Sequence, residues 1–341
     1  MWIKSVLLGL FVSAAFGAEE KLNLATPSGY FSGDVIPEFE RRFHCKVVTD
    51  LFEEPEAALA KVQSGGASLY DVLITADYTI TPLIRQKLLA PIPHERIANL
   101  QNLEPGFRKT QYDPELKYSI PFQWGTIGIY ARKIPGQDLD PSWSLFFDPK
   151  KQPGPIVLLD SMRDTIGAAL KSRGYSFNTT DRKQLLEARD LLLDAKKRAL
   201  EFANSPGGRA KVLDKSARAA IVFSAEGGRG MSEDPETIYF IPREGSEIWV
   251  DNLTILAQAP HRDLAEKFIN YLFEPETSAQ ISNYSHCASP NLAARRFIKP
   301  EILNNPALYP SEEARKKLEL LKDLGRDTRL YDQLWTTIKS R

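Results

Sequence analysis

The run Glu247-Ile248-Trp249-Val250-Asp251-Asn252-Leu253-Thr254-Ile255-Leu256 holds the side chains of this sequence best suited to bind a charged solute. It reads as a strand, with Ile248, Val250, Leu253, Ile255 and Leu256 as apolar filling. Alternate side chains of a strand share a face, so Trp249 and Asp251 point the same way. An indole face beside a carboxylate suits an organic cation. The ring attracts the positive charge and the acid accepts charged hydrogen bonds. The competing reading is a Trp packed at a strand edge and an Asp opening a turn. Further acids that could face a cleft are Asp77, Asp160, Asp164 and Glu226. Tyr30, Tyr78, Trp124 and Phe223 join Trp249 as candidate aromatic walls. Each has a purely structural role open to it. Asp160 can cap a helix, and Ser161 and Asp164 have the spacing of a capping box. Asp77 can end a strand, Glu226 can be a solvated loop residue, and single aromatics usually fill cores. Their common placement at strand ends, in two successive units, favours a site.

The elements that must position them alternate. Residues 22–25 read as a strand and 35–43 as a helix, with Asp34 as N-cap and Pro37 in the first turn. Residues 46–48 read as a strand, 56–63 as a helix ended by Gly65-Gly66, 71–75 as a strand and 82–88 as a helix. This βαβαβ rhythm predicts a parallel sheet covered on both faces, with ligands beyond the carboxyl ends of its strands. Those ends are Thr26-Pro27-Ser28-Gly29-Tyr30 and Ala76-Asp77-Tyr78. A second unit starts with a glycine-containing strand at 125–130 and continues with a strand at 156–159 and a helix to 170. The loop 174–181 leads into a long helix at 183–202; its Asn178-Thr179-Thr180 has glycosylation spacing, but Thr180 and Asp181 read better as a helix N-cap. Residues 219–224 form a buried strand, Gly227-Gly228-Arg229-Gly230 a loop, and 249–256 a strand returning toward the first unit. Gly125 and Gly128 suggest a hinge where the chain crosses, since glycine eases backbone change. Helices are predicted at 263–273, 277–282, 311–324 and 331–338.

The chain has 341 residues, 43% hydrophobic and 26% charged, enough for two lobes with separate cores. Lys plus Arg and Asp plus Glu both number 44, a balance that offers no reason to expect nucleic acid or an anionic membrane. His44, His94, His261 and His286 lack metal-ligand spacing, and Cys45 and Cys287 cannot make a structural zinc site. A disulfide between those cysteines is left open. There is no nucleophile elbow and no phosphate loop, so no cofactor, metal or catalytic residue is assigned. The N-terminus has the pattern of a cleavable signal peptide over 1–17: Lys4, an apolar run at 6–12, then small residues at Ala15 and Gly17. No Cys stands at the cut to carry a lipid, and no other segment reaches the ~20 apolar residues of a membrane span. The expectation is an exported, soluble, periplasmic protein.

Several segments, in order, resemble the periplasmic spermidine/putrescine-binding proteins of ABC importers. They are Tyr70-Asp71-Val72-Leu73-Ile74, Tyr118-Ser119-Ile120-Pro121-Phe122-Gln123-Trp124-Gly125 and Gly174-Tyr175-Ser176-Phe177-Asn178-Thr179-Thr180-Asp181. Next come Trp249-Val250-Asp251 and Ser289-Pro290-Asn291-Leu292-Ala293-Ala294-Arg295, the last behind the helix containing Ala265-Glu266-Lys267-Phe268. The resemblance covers the whole mature chain. It implies an α/β fold: a two-lobed type II clamp, each lobe a mostly parallel sheet flanked by helices. Lobe one would hold 18–126 and 254–300, lobe two 127–253 and 301–341. It further implies a monomer that captures a polyamine between the lobes and delivers it to an inner-membrane ABC permease. The family's cleft Trp-X-Asp matches Trp249 and Asp251, and its tyrosine after the third strand matches Tyr78. Its distal acid after the strand ending at Leu159 matches Asp164. The preceding acid falls on Ser161, a second cleft Trp on Phe223 and a late cleft Tyr near Cys287. The family's Asn-Trp-Thr falls near Thr26-Pro27-Ser28. Asp77 or Glu226 would then replace the missing charge. The departures leave open an amino-acid-like zwitterion or an organic anion held at Ser28 and the helix amides. A secreted enzyme acting on a small cation is the alternative of another class.

Overall fold

The computed structural model describes residues 20–52, 55–136, 139–152 and 154–340. The signal-peptide pattern lies outside the described residues. The first half opens with β1 (Glu20–Pro27), α1 (Val35–Phe43), β2 (Cys45–Phe52), α2 (Pro55–Gln63), β3 (Val72–Ala76) and α3 (Asp77–Arg85). β3 is apolar and wholly buried, as a central strand must be. Val35 and Phe39 form the buried stripe of α1, which ends where His44 takes a left-handed conformation at φ 51°. Asp34 occupies the N-cap position, without a capping bond from its side chain. α3 starts five residues before the helix expected at 82–88, so Asp77 opens a helix rather than ending a strand.

The long β4 (Ser119–Arg132) comes next, then α4 (Ser144–Phe147), β5 (Ile156–Leu159), α5 (Met162–Ser172), α6 (Arg182–Arg198), β6 (Ala199–Ala203), α7 (Ser205–Leu213), β7 (Ala219–Phe223), α8 (Ser224–Glu233), β8 (Thr237–Phe240) and β9 (Ser246–Ile255). Asp181 caps α6, its carboxylate accepting from the backbone N–H groups of Lys183 at 2.8 Å and Gln184 at 3.1 Å. The helix stops at Arg198 instead of continuing to 202. Residues 199–203 pair with β5 as an edge strand, a tertiary contact overriding helical composition. The glycine-rich segment is helix, not loop. A Cβ on Gly227 would strike the ring of Tyr239 and one on Gly230 that of Tyr130, so glycine lets these aromatics lie on the α8 backbone.

The chain closes with α9 (Arg262–Leu272), α10 (Pro275–Ser285), α11 (Pro300–Leu303), α12 (Glu312–Arg315), β10 (Leu318–Glu319) and α13 (Thr328–Ser340). The helix expected over 311–324 is one turn, because Leu318 and Glu319 pair with the start of β9. Asn178 holds this tail, accepting from the Lys322 N–H at 2.8 Å and donating to the Leu320 carbonyl at 2.9 Å.

Two lobes result. β1 runs parallel to β2 and β3, β9 pairs antiparallel with β3, and the first half of β4 pairs antiparallel with β9 on its other side. The second half of β4 turns to β7 and β8, while β5 runs parallel to β6 and β7. One core gathers Leu24, Phe39, Ile74, Trp124, Leu253 and Phe268. The other gathers Ile129, Trp143, Leu158, Phe177, Ile221 and Tyr331. β9 pairs with β4 from Ile248 and with β3 from Asp251. In the tail, Ile302 and Leu308 pack with Ala294 and Ile298, whereas Tyr331 and Ile338 join the second core.

Candidate functional site

A cleft of about 220 Å³ opens between the lobes. Its walls are the carboxyl ends of the parallel strands and the residues just beyond them: Pro27–Tyr30 after β1, Ala76 and Tyr78 after β3, Asp160, Ser161 and Asp164 after β5, and Phe223, Ala225, Glu226 and Arg229 after β7. β9 adds Glu247, Trp249 and Asp251 from one face. Of the expected residues, Ser28, Tyr78, Ser161, Asp164, Phe223, Glu226, Trp249 and Asp251 line this space; Asp77 and Trp124 do not.

Trp124 is a correction. It is 1% exposed and lies in the core, edge-on to Tyr309 at 6.0 Å, with Arg315 over its ring at 5.4 Å. Strand alternation is the reason. Gly125 is the β4 residue facing the site, paired with Trp249, so Trp124 points to the opposite face. A Cβ on Gly125 would overlap the Trp249 indole and stand 2.6 Å from Ser224 Oγ. This glycine makes room for the indole, a more specific task than easing a hinge.

Asp77 stands behind the wall, fully buried. Its Oδ1 accepts the Tyr78 N–H at 2.7 Å, and its Oδ2 has no hydrogen-bond partner. Burial, and then the charges of Asp251 and Asp164, push this carboxyl well above the usual range. Glu226 cannot replace a missing charge. It is matched already by Arg209 at 2.8 Å and by Arg229. Arg229 also reaches the first lobe, donating to the Gly29 carbonyl at 3.4 Å.

Asp251 lies at the first-lobe end of β9 and accepts from the Tyr30 hydroxyl. Burial outweighs that hydrogen bond and raises its pKa to about 6. Trp249 meets Phe223 edge to face at 6.1 Å. Asp164 is oriented from within α5 by the Ser161 hydroxyl, which donates to its Oδ2. The Tyr78 hydroxyl donates to Glu56 at 2.9 Å, which fixes its ring at the mouth.

Glu247 is a site residue that the sequence reading misses. It is 2% exposed, its Oε2 has no hydrogen-bond partner, and its carboxyl meets that of Asp164. Burial first, then the charge and hydrogen bond of Asp164, raise its pKa well above normal. A signal for it exists: Glu247 stands two residues before Trp249, on the face already assigned to Trp249 and Asp251. Asp164, Glu247 and Asp251 therefore form an acidic floor with Asp77 buried behind it, and among the described residues no Lys or Arg side chain forms an ion pair with any of the four. Buried charge of one sign is costly unless a counter-charge arrives. The floor suits a ligand with positive ends and an apolar middle.

Residues 35–310 match the family model described as bacterial extracellular solute-binding protein. The chain belongs to this family. It is 32% identical to a putrescine/cadaverine-binding protein of Pseudomonas aeruginosa over 340 residues, 95% of each chain. It is 27% identical to the spermidine/putrescine-binding periplasmic protein of Escherichia coli over 315 residues, 91% of this chain and 89% of the other. The solved structure of the spermidine/putrescine ABC transporter substrate-binding protein PotD from Streptococcus pneumoniae superposes with a TM-score of 0.82 at 27% identity, covering 94% of this chain and 99% of that one. The fold is thus the periplasmic-binding-protein clamp. The family consists of extracellular binding proteins, and among the described residues no helix is long and apolar enough to cross a membrane. In this solute-binding protein, as in ligand-binding α/β sheets generally, the strand ends carry side chains that line the cleft.

Proposed function

We propose that this solute-binding protein is the periplasmic receptor of an ABC importer and captures a polyamine unchanged, without catalysing a reaction. One observation carries the reading: buried carboxyls without cationic partners flank an indole in the interlobe cleft. The ligands for which the relatives are named, putrescine, cadaverine and spermidine, have the complementary pattern of ammonium ends on a methylene chain. Trp249 and Asp251 anchor one ammonium. Asp164 takes another, and Tyr78 and Phe223 flank the methylenes. The mature chain starts after the leader at 1–17 and acts as a monomer that docks on a membrane permease. Its lobes divide at 126/127 on β4 and return along β9, with residues from about 318 onward on the second lobe.

Thermal-shift screening against polyamines, amino acids, sugars and oxyanions tests the ligand class, because a solute bound only by the folded state raises the melting temperature. Titration calorimetry then tests the anchor. Asp251→Asn keeps the shape and removes the charge, and should weaken diamine binding by roughly 2–5 kcal/mol. Trp249→Leu should cost on the order of 1–2 kcal/mol. Unchanged affinity in Asp251→Asn rejects the anchor. A shift produced only by an acidic or neutral solute rejects the polyamine.

A further inference from the structure

We propose that Glu247 sets the length of the ligand: with Asp164 it holds the second ammonium of a linear diamine anchored on Asp251, and capture of that ammonium expels a proton from the Glu247 carboxyl. The proposal rests on the polyamine reading above. Glu247, Trp249 and Asp251 occupy alternate positions of one strand, so an acid, an indole and an acid line up on one face. Four residues of strand, at a rise of ~3.3 Å each, separate the acids by about 13 Å. Charged hydrogen bonds of about 2.8 Å at each end leave roughly 7 Å between ligand nitrogens. An extended chain of ~1.5 Å single bonds advances about 1.25 Å per bond, so four or five methylenes fill the gap over Trp249.

The surroundings of Glu247 explain the proton. Asp164 and Arg163 face it from α5, Asp77 and Tyr78 from α3, Tyr239 from β8, and Asp251 stands further along its own strand. Arg163 is the cation of this set, and it is engaged elsewhere. Its guanidinium lies over Tyr331 at 4.7 Å and donates to Asn178 at 3.1 Å and to the Lys322 carbonyl at 3.3 Å. A carboxyl this deeply buried, with one oxygen left without a partner, keeps its proton while the cleft is empty. The incoming ammonium supplies the missing positive charge. The carboxyl O–H then breaks, its proton passes to the buffer, and no other covalent bond changes. Burial of Glu247 and its unpartnered Oε2 support this assignment independently of the carboxyl count.

Calorimetry of the mature chain at pH 7, in two buffers of different ionisation enthalpy, tests this with 1,4-diaminobutane, 1,5-diaminopentane and 1-aminobutane. Wild type should release close to one proton per diamine. Glu247→Gln should lose that release and bind both diamines at least tenfold more weakly. Its affinity for the monoamine, which is anchored by Trp249 and Asp251, should fall by much less than its affinity for the diamines. Glu247→Asp should recover part of the diamine affinity and the proton release. A folded Glu247→Gln protein with wild-type diamine affinity and proton release overturns the proposal. So does a wild type that binds diamines without releasing a proton, a result independent of how any variant folds. A wild type that binds none of the amines removes the polyamine reading as well, so the two failures are told apart.

Discussion

Asp251 shows at the scale of one residue how binding and stability oppose each other. Its pKa in the fold is about 6, against ~3.9 in an unfolded chain. The folded state therefore holds this proton more tightly. The favourable contribution is complete below pH ~4 and is lost as pH rises through about 6. Above that, the empty protein carries a buried charge stabilised by the Tyr30 hydroxyl. Asp251→Asn should thus make the empty protein more stable at pH 7.5, by up to about 3 kcal/mol, and leave it near wild type at pH 4. Thermal melts at the two pH values check this. An equal difference at both would reject burial of the charge as the cause. On the proposed function the same substitution should weaken diamine binding, so stability would be sacrificed at a site that an ammonium neutralises.

At the scale of elements, the site depends on the close approach of β4 and β9. Gly125 pairs with Trp249 and leaves room for its indole. Gly125→Ala should cost about 1–3 kcal/mol, because an inserted methyl in a packed interface forces neighbours off their rotamers. It should also weaken diamine binding, since the displaced ring lines the cleft and is proposed to anchor the ammonium. Urea unfolding and calorimetry on the same preparation measure both effects. Full stability with full affinity would mean the strands yield freely. The α6 N-cap is a local counterpart. Asp181→Ala should cost about 1 kcal/mol through two lost backbone hydrogen bonds, with ligand affinity unchanged, because the cap lies outside the cleft.

At the scale of the molecule, β4 and β9 carry the chain between two cores, and the cleft is built from both lobes. Apolar contacts link the lobes, with Tyr78 packed against the second core and Ala225 and Leu320 against the first, and polar contacts join them. Arg229 reaches the Gly29 carbonyl at 3.4 Å, and Arg85 pairs with Asp323 at 3.1 Å on an exposed face. Such polar contacts contribute little on their own, so ligand bridging the lobes should dominate closure. Small-angle scattering should show a smaller radius of gyration with saturating 1,4-diaminobutane than without it. Asp251→Asn at the same ligand concentration should show less contraction. A wild-type profile that ignores a ligand proven to bind would reject closure.

The sequence alone determined what depends on near neighbours. The βαβ rhythm, the α1 helix, the Asp181 cap and the shared face of Trp249 and Asp251 come from periodicity and capping, which act over a few residues. Family resemblance extended that reading to a two-lobed clamp. Tertiary structure decided which charges remain unmatched and which face of a strand meets the cleft. Arg209 neutralises Glu226 from another helix, and β4–β9 register turns Trp124 into the core while Gly125 faces the indole. Tyr130 and Tyr239 make a helix of a glycine-rich segment by packing on its backbone. Glu247 stands beside Trp249 and Asp251 in the sequence, but its importance comes from Asp164, brought to it by the fold from a different strand end. Charge balance in a buried site is a sum over every element around it, and no local pattern contains that sum.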